Sequence, residues 1–386
     1  EVEDLRGTLA ALSAGPGDAP TLEQELRWYL EEFLGHPTDV DHARAQRCLE
    51  SLRSWGQGCW TALFNAGKGA ELYNKAVDQG LAKLVLHVLT DDPRVASWPW
   101  EALRDPRSGA DLGHACRVER TLSEQRDPPK LDENLARQDQ LNILLVTARP
   151  RGVRDVGYRS ISRPLVERVH AAADIKARVT VLRPPTFEAL GAHLREHPGR
   201  YHIVHFDGHG VFGGGGGGGG GVARNPHAFA GGAEGYLEFE PDENAAEGRR
   251  SGLVSATTLA ATMREHAVPI VVLNACQSGM VNEDAQGAFA SVAGALIQSG
   301  VRGVVAMSYV LWVSAAKEFI PAFYDELFST GSLAEAVRLG RQKLFVQPNR
   351  TGPGGPEKLE DWLVPVLYQQ EEFKLPVIGD MAAKWV

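Results

Sequence analysis

The stretch PIVVLNACQSG, residues 269–279, decides the fold of this chain. Its four apolar residues, 270–273, predict a short strand that is buried on both faces. The apolar run stops at a small, polar segment that carries one cysteine, Cys276. In open α/β sheets, ligands bind where parallel strands end at their carboxyl edge. Cys276 is therefore predicted at such an edge, where a buried strand opens to solvent.

A second stretch, YHIVHFDGHG at residues 201–210, has the same organisation. Its apolar-rich part predicts a strand over residues 201–206, and a glycine-flanked histidine, His209, follows. We expect Gly208 and Gly210 to let the backbone turn tightly around His209. If the two strands are parallel neighbours, they bring a thiol and an imidazole to one edge of the sheet. A nucleophile and an adjacent general base are the two groups that nucleophilic catalysis requires.

Composition narrows the classes of protein that fit the chain. Its 386 residues predict one large or two medium domains, and no apolar run approaches the roughly 20 residues that span a bilayer. The net charge of −9 has no basic block, so we expect a soluble protein that binds neither nucleic acid nor membranes directly. Four widely spaced cysteines predict a reducing, cytoplasmic setting: Cys48, Cys59, Cys116 and Cys276. Because residue 1 is glutamate, we expect a trimmed N-terminus and missing neighbouring domains.

Strands and helices alternate from residue 141 onward. Helix caps are predicted at Thr186, Ser255 and Ser332, and Pro164 marks the first turn of a helix expected to run to about Arg178. The alternation predicts an α/β fold with a mostly parallel six-stranded sheet and helices on both faces. Apolar runs place its strands at residues 141–147, 179–182, 201–206, 270–273, 301–307 and 363–368.

The chain is predicted to divide into an α-rich N-terminal part, residues 1–135, and an α/β domain, residues 136–386. A capping box at Thr21 predicts the first helix, and a longer helix is expected over residues 41–64. The segment SWPWEALRDP, residues 97–106, is typical of a turn anchored against a core.

Four stretches together resemble a known family, the CHAT domain: HFDGHG, NACQSG, SWPWEALRDP and DWLVPVLYQ. CHAT domains are bacterial caspase-like cysteine proteases related to separases and metacaspases. The resemblance implies a caspase-like sandwich with His209 as the catalytic histidine and Cys276 as the nucleophile. It also implies that residues 1–135 are a reduced pseudo-protease region.

The residue types themselves indicate nucleophilic catalysis by a thiol, and with the resemblance they indicate a cysteine endopeptidase. A free thiol is mostly protonated at neutral pH, so a nearby imidazole is needed to accept its proton. We expect the backbone N–H groups of Gly210 and Cys276 to form an oxyanion hole, and we expect no metal or cofactor to be required. The predicted partners are a protein substrate, cleaved through an acyl-enzyme, and a regulatory protein or missing domain. The resemblance further implies a role in regulated bacterial defence or cell death.

Substrate recognition is predicted at Asp207, at Asn274 and after the fifth strand. In metacaspase-like relatives an acidic residue at the place of Asn274 helps to select a basic P1 side chain, so the neutral amide predicts an uncharged P1 residue. Asp207 either lines the pocket or holds its loop by accepting N–H bonds, and we favour the second role. Ser308, Tyr309 and Trp312 are expected to form the other wall, with flat apolar surface and exposed backbone.

Two alternative functions stay open at this point. His205, Asp207 and His209 alternate along a strand and could begin the metal site of a metal-dependent hydrolase. A catalytically silent module that only binds proteins through the same fold is the other alternative. The glycine run at residues 213–221 fits neither a dinucleotide loop nor a packed domain, and we expect a flexible, engineered replacement of a longer loop.

Overall fold

The computed structural model describes residues 20–35, 37–150, 159–171, 177–214, 233–242, 252–276 and 286–375. Within these ranges the chain forms a large β-sheet, a separate hairpin, and helices that pack on both faces of the sheet. The strands are β1 (Val85–Leu89), β2 (Arg117–Thr121), β3 (Leu141–Thr147), β4 (Ala177–Val181), β5 (Ile203–Gly214), β6 (Ala233–Glu238), β7 (Leu253–Ser255), β8 (Ile270–Cys276), β9 (Gly303–Met307), β10 (Asn349–Gly352), β11 (Gly355–Lys358) and β12 (Pro365–Gln369).

Eight strands of the sheet lie side by side in the order β1–β2–β12–β9–β8–β5–β3–β4. The five strands from β9 to β4 are parallel, and β12 runs antiparallel to β9. β6 pairs antiparallel with the far end of β5, and β7 pairs with β6. The six strands predicted from the sequence, β3, β4, β5, β8, β9 and β12, form one contiguous block. The predicted mostly parallel α/β sheet is therefore confirmed.

The helices cover the two faces of the sheet. The predicted capping box is present, because Thr21 N–H donates to Gln24 Oε1 at 2.9 Å and Gln24 N–H donates back to Thr21 Oγ1 at 3.3 Å. None of the described helices is long and apolar enough to cross a bilayer. The helices are α1 (Leu22–Arg27), which continues into a π-helical turn (Trp28–Glu32), α2 (Asp39–Phe64), α3 (Gly67–Gln79), α4 (Pro93–Ser97), α5 (Leu112–Ala115), α6 (Glu133–Ala136), α7 (Arg159–Ala171), α8 (Phe187–Glu196), α9 (Ala256–Glu265), α10 (Gln286–Ser299), α11 (Val313–Thr330) and α12 (Leu333–Val346).

The sheet separates two hydrophobic cores, as expected when successive side chains of a strand point to opposite faces. On β8, Ile270 and Val272 belong to the core that α1, α2, α11 and α12 cover. Val271 and Leu273 belong to the other core, which α8, α9 and α10 cover. This burial on both faces explains the unbroken apolar run at residues 270–273 of β8.

Two predicted boundaries are wrong. The helix expected to reach Arg178 ends at Ala171, and β4 already begins at Ala177. The strand expected to stop at Phe206 continues through His209 to Gly214, so no tight turn surrounds His209. Beyond Asp207, β6 replaces β3 as the neighbour of β5, and this new pairing keeps residues 209–214 extended.

The N-terminal part is joined to the α/β part through the same sheet. β2 lies parallel to β12, with Arg120 opposite Tyr368, and β1 extends the sheet beyond β2. The sheet therefore crosses the predicted boundary at residue 135. The division into two domains and the pseudo-protease origin of residues 1–135 stay predictions.

A buried ion cluster, Glu101, Arg120 and Arg341, strengthens this junction, and we call it the scaffold cluster. Arg120 donates to both carboxylate oxygens of Glu101, at 2.7 and 2.8 Å. Arg341 on α12 donates to Glu101 at 2.7 Å and to the carbonyl of Pro365 at 2.8 Å. Glu101 comes from the SWPWEALRDP segment, which is the anchored turn that the sequence predicts: Trp100 packs edge-on against Trp55, with 6.3 Å between ring centroids.

Candidate active site

The two sequence stretches that carry His209 and Cys276 are neighbouring parallel strands. β5 and β8 pair in register from Ile203 opposite Ile270 to His209 opposite Cys276. The histidine and the cysteine therefore lie side by side on the backbone, at the carboxyl edge of the parallel sheet. The side chain of Cys276 and residues 277–285 lie outside the described part of the chain.

His209 is held by strands on both sides. Cys276 of β8 is its partner on one side and Glu238 of β6 on the other. Only 7% of the His209 residue surface is exposed. The preceding Gly208 is needed for space, because a Cβ there would stand 2.8 Å from ring carbons of Phe206. His209 is thus mounted on a rigid element, as a precisely oriented functional group requires.

Below this pair lies a second buried ion cluster, Arg149, Asp207 and Asn274, which we call the site cluster. Arg149 Nη2 donates to Asp207 Oδ2 at 2.6 Å, and Asn274 Nδ2 donates to Asp207 Oδ1 at 3.2 Å. Arg149 Nη1 also donates to the carbonyls of Ala148 and Asp207, both at 2.8 Å. The cluster ties together the ends of β3, β5 and β8, two residues before His209 and Cys276.

Within the site cluster, the positive charge of Arg149 is paired with the negative charge of Asp207, and the Asn274 amide is uncharged. Burial raises the pKa of the Asp207 carboxyl above its ordinary value, and the Arg149 guanidinium and the Asn274 amide offset that effect only in part. Asp207 is 2% exposed, so its carboxylate faces these two partners and not open solvent. Arg149 was missed by sequence reasoning. Its position directly after β3, at the same sheet edge as Asp207, was the available signal.

The other three cysteines are core residues. Cys48, Cys59 and Cys116 are free thiols and are at most 2% exposed. Burial raises the pKa of each thiol to about 12. The thiolate, which is the reactive form, is therefore suppressed at all three positions.

Two of the three residues of the metal-site alternative, His205 and Asp207, have other partners. His205 Nδ1 lies 2.8 Å from the hydroxyl of Tyr324 on α11, and burial lowers the pKa of His205 to about 4. Asp207 is paired with Arg149. In the described part of the chain, the residues whose side chains converge closely enough to hold a metal are His193, Glu196 and His197 instead.

The segment after β9 packs against the N-terminal helices. Tyr309 is 3% exposed and lies in the core, so its ring does not offer the open surface that we expected. The Trp312 indole N–H donates to the carbonyl of Leu30 at 2.7 Å. Ser308 is only partly buried, and its backbone N–H donates to the carbonyl of Val364 at 2.9 Å. The N-terminal part covers the two aromatic residues. Nothing in the local sequence of this segment indicates that contact.

The strand order, the five parallel strands and the antiparallel β12 beside β9 define a mostly parallel, caspase-like α/β fold. The profile of the CHAT domain family matches residues 57–370. The chain belongs to the CHAT domain family. Curated protein sequences give no match.

Two solved structures are similar to this chain at low sequence identity and low TM-score. The Arg-specific cysteine proteinase gingipain R is 8% identical, with a TM-score of 0.41, over 84% of this chain and 68% of its own. Separase in the Saccharomyces cerevisiae separase–securin complex is 13% identical, with a TM-score of 0.37. That match spans 96% of this chain and 22% of the separase chain.

Proposed function

We propose that the protein is a cysteine endopeptidase that uses His209 and Cys276 as a catalytic dyad. The observation that carries the proposal is their pairing in register at the carboxyl edge of two parallel strands, in a chain of the CHAT family. The buried state of the other three cysteines supports Cys276 as the nucleophile.

The reaction follows from these two groups. His209 accepts the thiol proton, and the Cys276 thiolate attacks the carbonyl carbon of the substrate, which forms a C–S bond and an oxyanion. We assign the oxyanion contacts to the backbone N–H groups of Gly210 and Cys276. The C–N bond then breaks as His209 returns its proton to the leaving amine. Water, deprotonated by His209, hydrolyses the thioester and releases the free thiol.

Substrate choice in this proposal is governed by the site cluster. Arg149 and Asp207 neutralise each other, and Asn274 is an uncharged amide. A charged P1 side chain buried beside them would lack a partner, which costs several kcal/mol. We therefore propose an uncharged P1 residue, with Asp207 and Asn274 shaping the floor of the pocket. Ser308 and the backbone beside it, rather than the ring of Tyr309, would supply the other wall together with the exposed part of Trp312.

The biological role we propose is regulated proteolysis of a specific protein in bacterial defence or cell death, inside the cytoplasm. Family membership supports it. A protease of this kind must be kept inactive, so a regulatory protein or a further domain is the proposed partner. Residues 215–232, which include most of the glycine run, lie outside the described residues, and their proposed role in activation rests on the sequence alone.

The test is cleavage of a peptide library, read by mass spectrometry, with and without candidate activators. Cys276→Ala and His209→Ala should each lower the rate at least about a thousandfold, and the double variant should lose little more, because the two groups act as a unit. Cys48→Ala and His266→Ala, matched controls outside the site, should keep the rate. Full activity in either dyad variant would refute the proposal.

The same library separates the remaining alternatives. Wild type should select uncharged P1 residues, and Asp207→Asn, which removes one negative charge beside Arg149, should improve cleavage after acidic residues. Strict Arg or Lys selection that is lost in Asp207→Asn would instead make Asp207 the specificity residue. Loss of activity with a chelator would favour the metal-dependent hydrolase. A wild-type thiol that is not labelled by an electrophilic peptide would favour the silent binding module.

A further inference from the structure

The end of α8 carries a group of potential metal ligands that the proposed catalytic reaction does not use. His193 and His197 are four residues apart, and Glu196 lies between them. One ligand atom from each of the three side chains lies within 4.8 Å of the other two. The group is close to the start of β5, about 20 Å along that strand from His209.

Both imidazole rings are already oriented by hydrogen bonds. His197 Nδ1 lies 3.0 Å from the carbonyl of His193, and a carbonyl can only accept, so Nδ1 carries the proton and Nε2 keeps a lone pair. His193 Nε2 lies 2.6 Å from the hydroxyl of Tyr201, which leaves Nδ1 on the other side of the ring for a ligand bond. Metal-binding histidines are almost always held in this way by a second partner.

The two imidazole rings lie against each other at the end of α8. The rings stack with 4.5 Å between centroids and an interplanar angle of 28°. Nearby, the Arg200 guanidinium lies over the Tyr201 ring, 5.6 Å from its centroid. Glu196 is exposed and supplies the negative charge that a divalent cation needs.

We propose that His193, Glu196 and His197 bind a divalent transition metal of the zinc, nickel or copper class, with water completing the coordination shell. Two imidazoles and one carboxylate are the donors that these borderline ions select, whereas magnesium and calcium prefer oxygen ligands alone. Bound donors in such sites are about 3.3 Å apart, a distance that small side-chain rotations reach from the present arrangement. The metal would bridge the last turn of α8 and its C-cap residue, His197, and so stabilise the folded state by binding it selectively.

The experiment is a calorimetric titration of zinc, and separately of nickel, into the metal-stripped full chain. Cys276→Ala serves as the background, so that a thiol–imidazole pair at the active site does not contribute. We expect one ion per chain. His193→Ala and His197→Ala should each weaken binding at least about tenfold, and Tyr201→Phe, which removes only a supporting bond, about tenfold.

Three further measurements make the result decisive. His266→Ala, a partly exposed histidine outside the group, should leave the affinity unchanged. Glu196→Gln, which alters an exposed side chain and cannot disturb the core, should weaken binding severalfold. Zinc should raise the thermal midpoint of the background protein but not that of His193→Ala. Binding that survives both histidine variants, or that falls equally in His266→Ala, would overturn the proposal.

Discussion

The scaffold cluster and the site cluster both pair a buried carboxylate with arginine, but they differ in the number of arginines. Glu101 is shared by two guanidinium groups, those of Arg120 and Arg341. Asp207 has one guanidinium, Arg149, and an uncharged amide. Burial disfavours both carboxylates, but the two arginines outweigh it and hold the pKa of Glu101 below its ordinary value. With one arginine, burial prevails and the pKa of Asp207 is raised.

A third buried carboxylate, Asp361, resembles Asp207 because it also has a single arginine partner. Arg350 donates to both carboxylate oxygens of Asp361, each at 2.6 Å, and both side chains are fully buried. With this single arginine, burial again raises the pKa of the carboxyl group. The number of guanidinium groups does not decide the direction alone. Asp105 is 3% exposed and has one arginine partner, Arg107, yet its pKa is lowered, because Arg107 donates to it from both its side chain and its backbone N–H.

The largest effect is expected from breaking the scaffold cluster. Glu101→Gln leaves two buried guanidinium groups without their anion, which should lower the free energy of unfolding by about 3–5 kcal/mol. The measurement is urea unfolding at pH 7. Glu133→Gln is the matched control, because Glu133 pairs with Arg137 on the surface and its side chain is 83% exposed. The control should change stability by less than about 0.5 kcal/mol, and an equal loss in both variants would contradict the comparison.

A second prediction compares how stability depends on pH at the scaffold cluster and at two buried histidines, His202 and His205. Burial lowers the pKa of His202 and of His205 to about 4, so the folded state holds both neutral while the unfolded chain binds protons below its own pKa of 6.5. Their stabilising effect is present above pH 6.5 and is lost as the pH falls toward 4, at about 3 kcal/mol for each. Glu101, whose pKa is lowered, loses its effect only below its ordinary pKa, near pH 4.5.

The measurement is the free energy of unfolding as a function of pH, for wild type and for His205→Gln. The variant should show a flatter slope between pH 6.5 and 4 and an unchanged slope below that range. Glu101→Gln should do the opposite and flatten only the acidic end. Identical pH profiles for wild type and His205→Gln would show that the histidine does not hold a neutral ring in the folded state.

The smallest effect on stability is expected at the site cluster. Asp207→Asn should cost about 1–3 kcal/mol, less than Glu101→Gln, because Arg149 keeps its bonds to the carbonyls of Ala148 and Asp207. Urea unfolding at pH 7 measures it beside the scaffold variant. A loss as large as that of Glu101→Gln would mean that the two clusters stabilise the fold equally.

The sequence by itself determined the elements that depend on neighbouring residues. Apolar runs of strand length located the six central strands, and short polar side chains before helices located caps at Thr186, Ser255 and Ser332, each of which accepts the backbone N–H three residues on. These features rest on periodicity and on local hydrogen bonds, which are written within a few residues of chain.

Only the tertiary structure decided what depends on distant parts of the chain. Arg149 and Asp207 are 58 residues apart, and Arg341 and Glu101 are 240 apart, so no local pattern pairs them. The continuation of β5 past His209 depends on β6, and the burial of Tyr309 depends on helices near the start of the chain. A buried charge is stable only with its partner in place, and that partner is chosen by packing, because folding alone brings the two groups together.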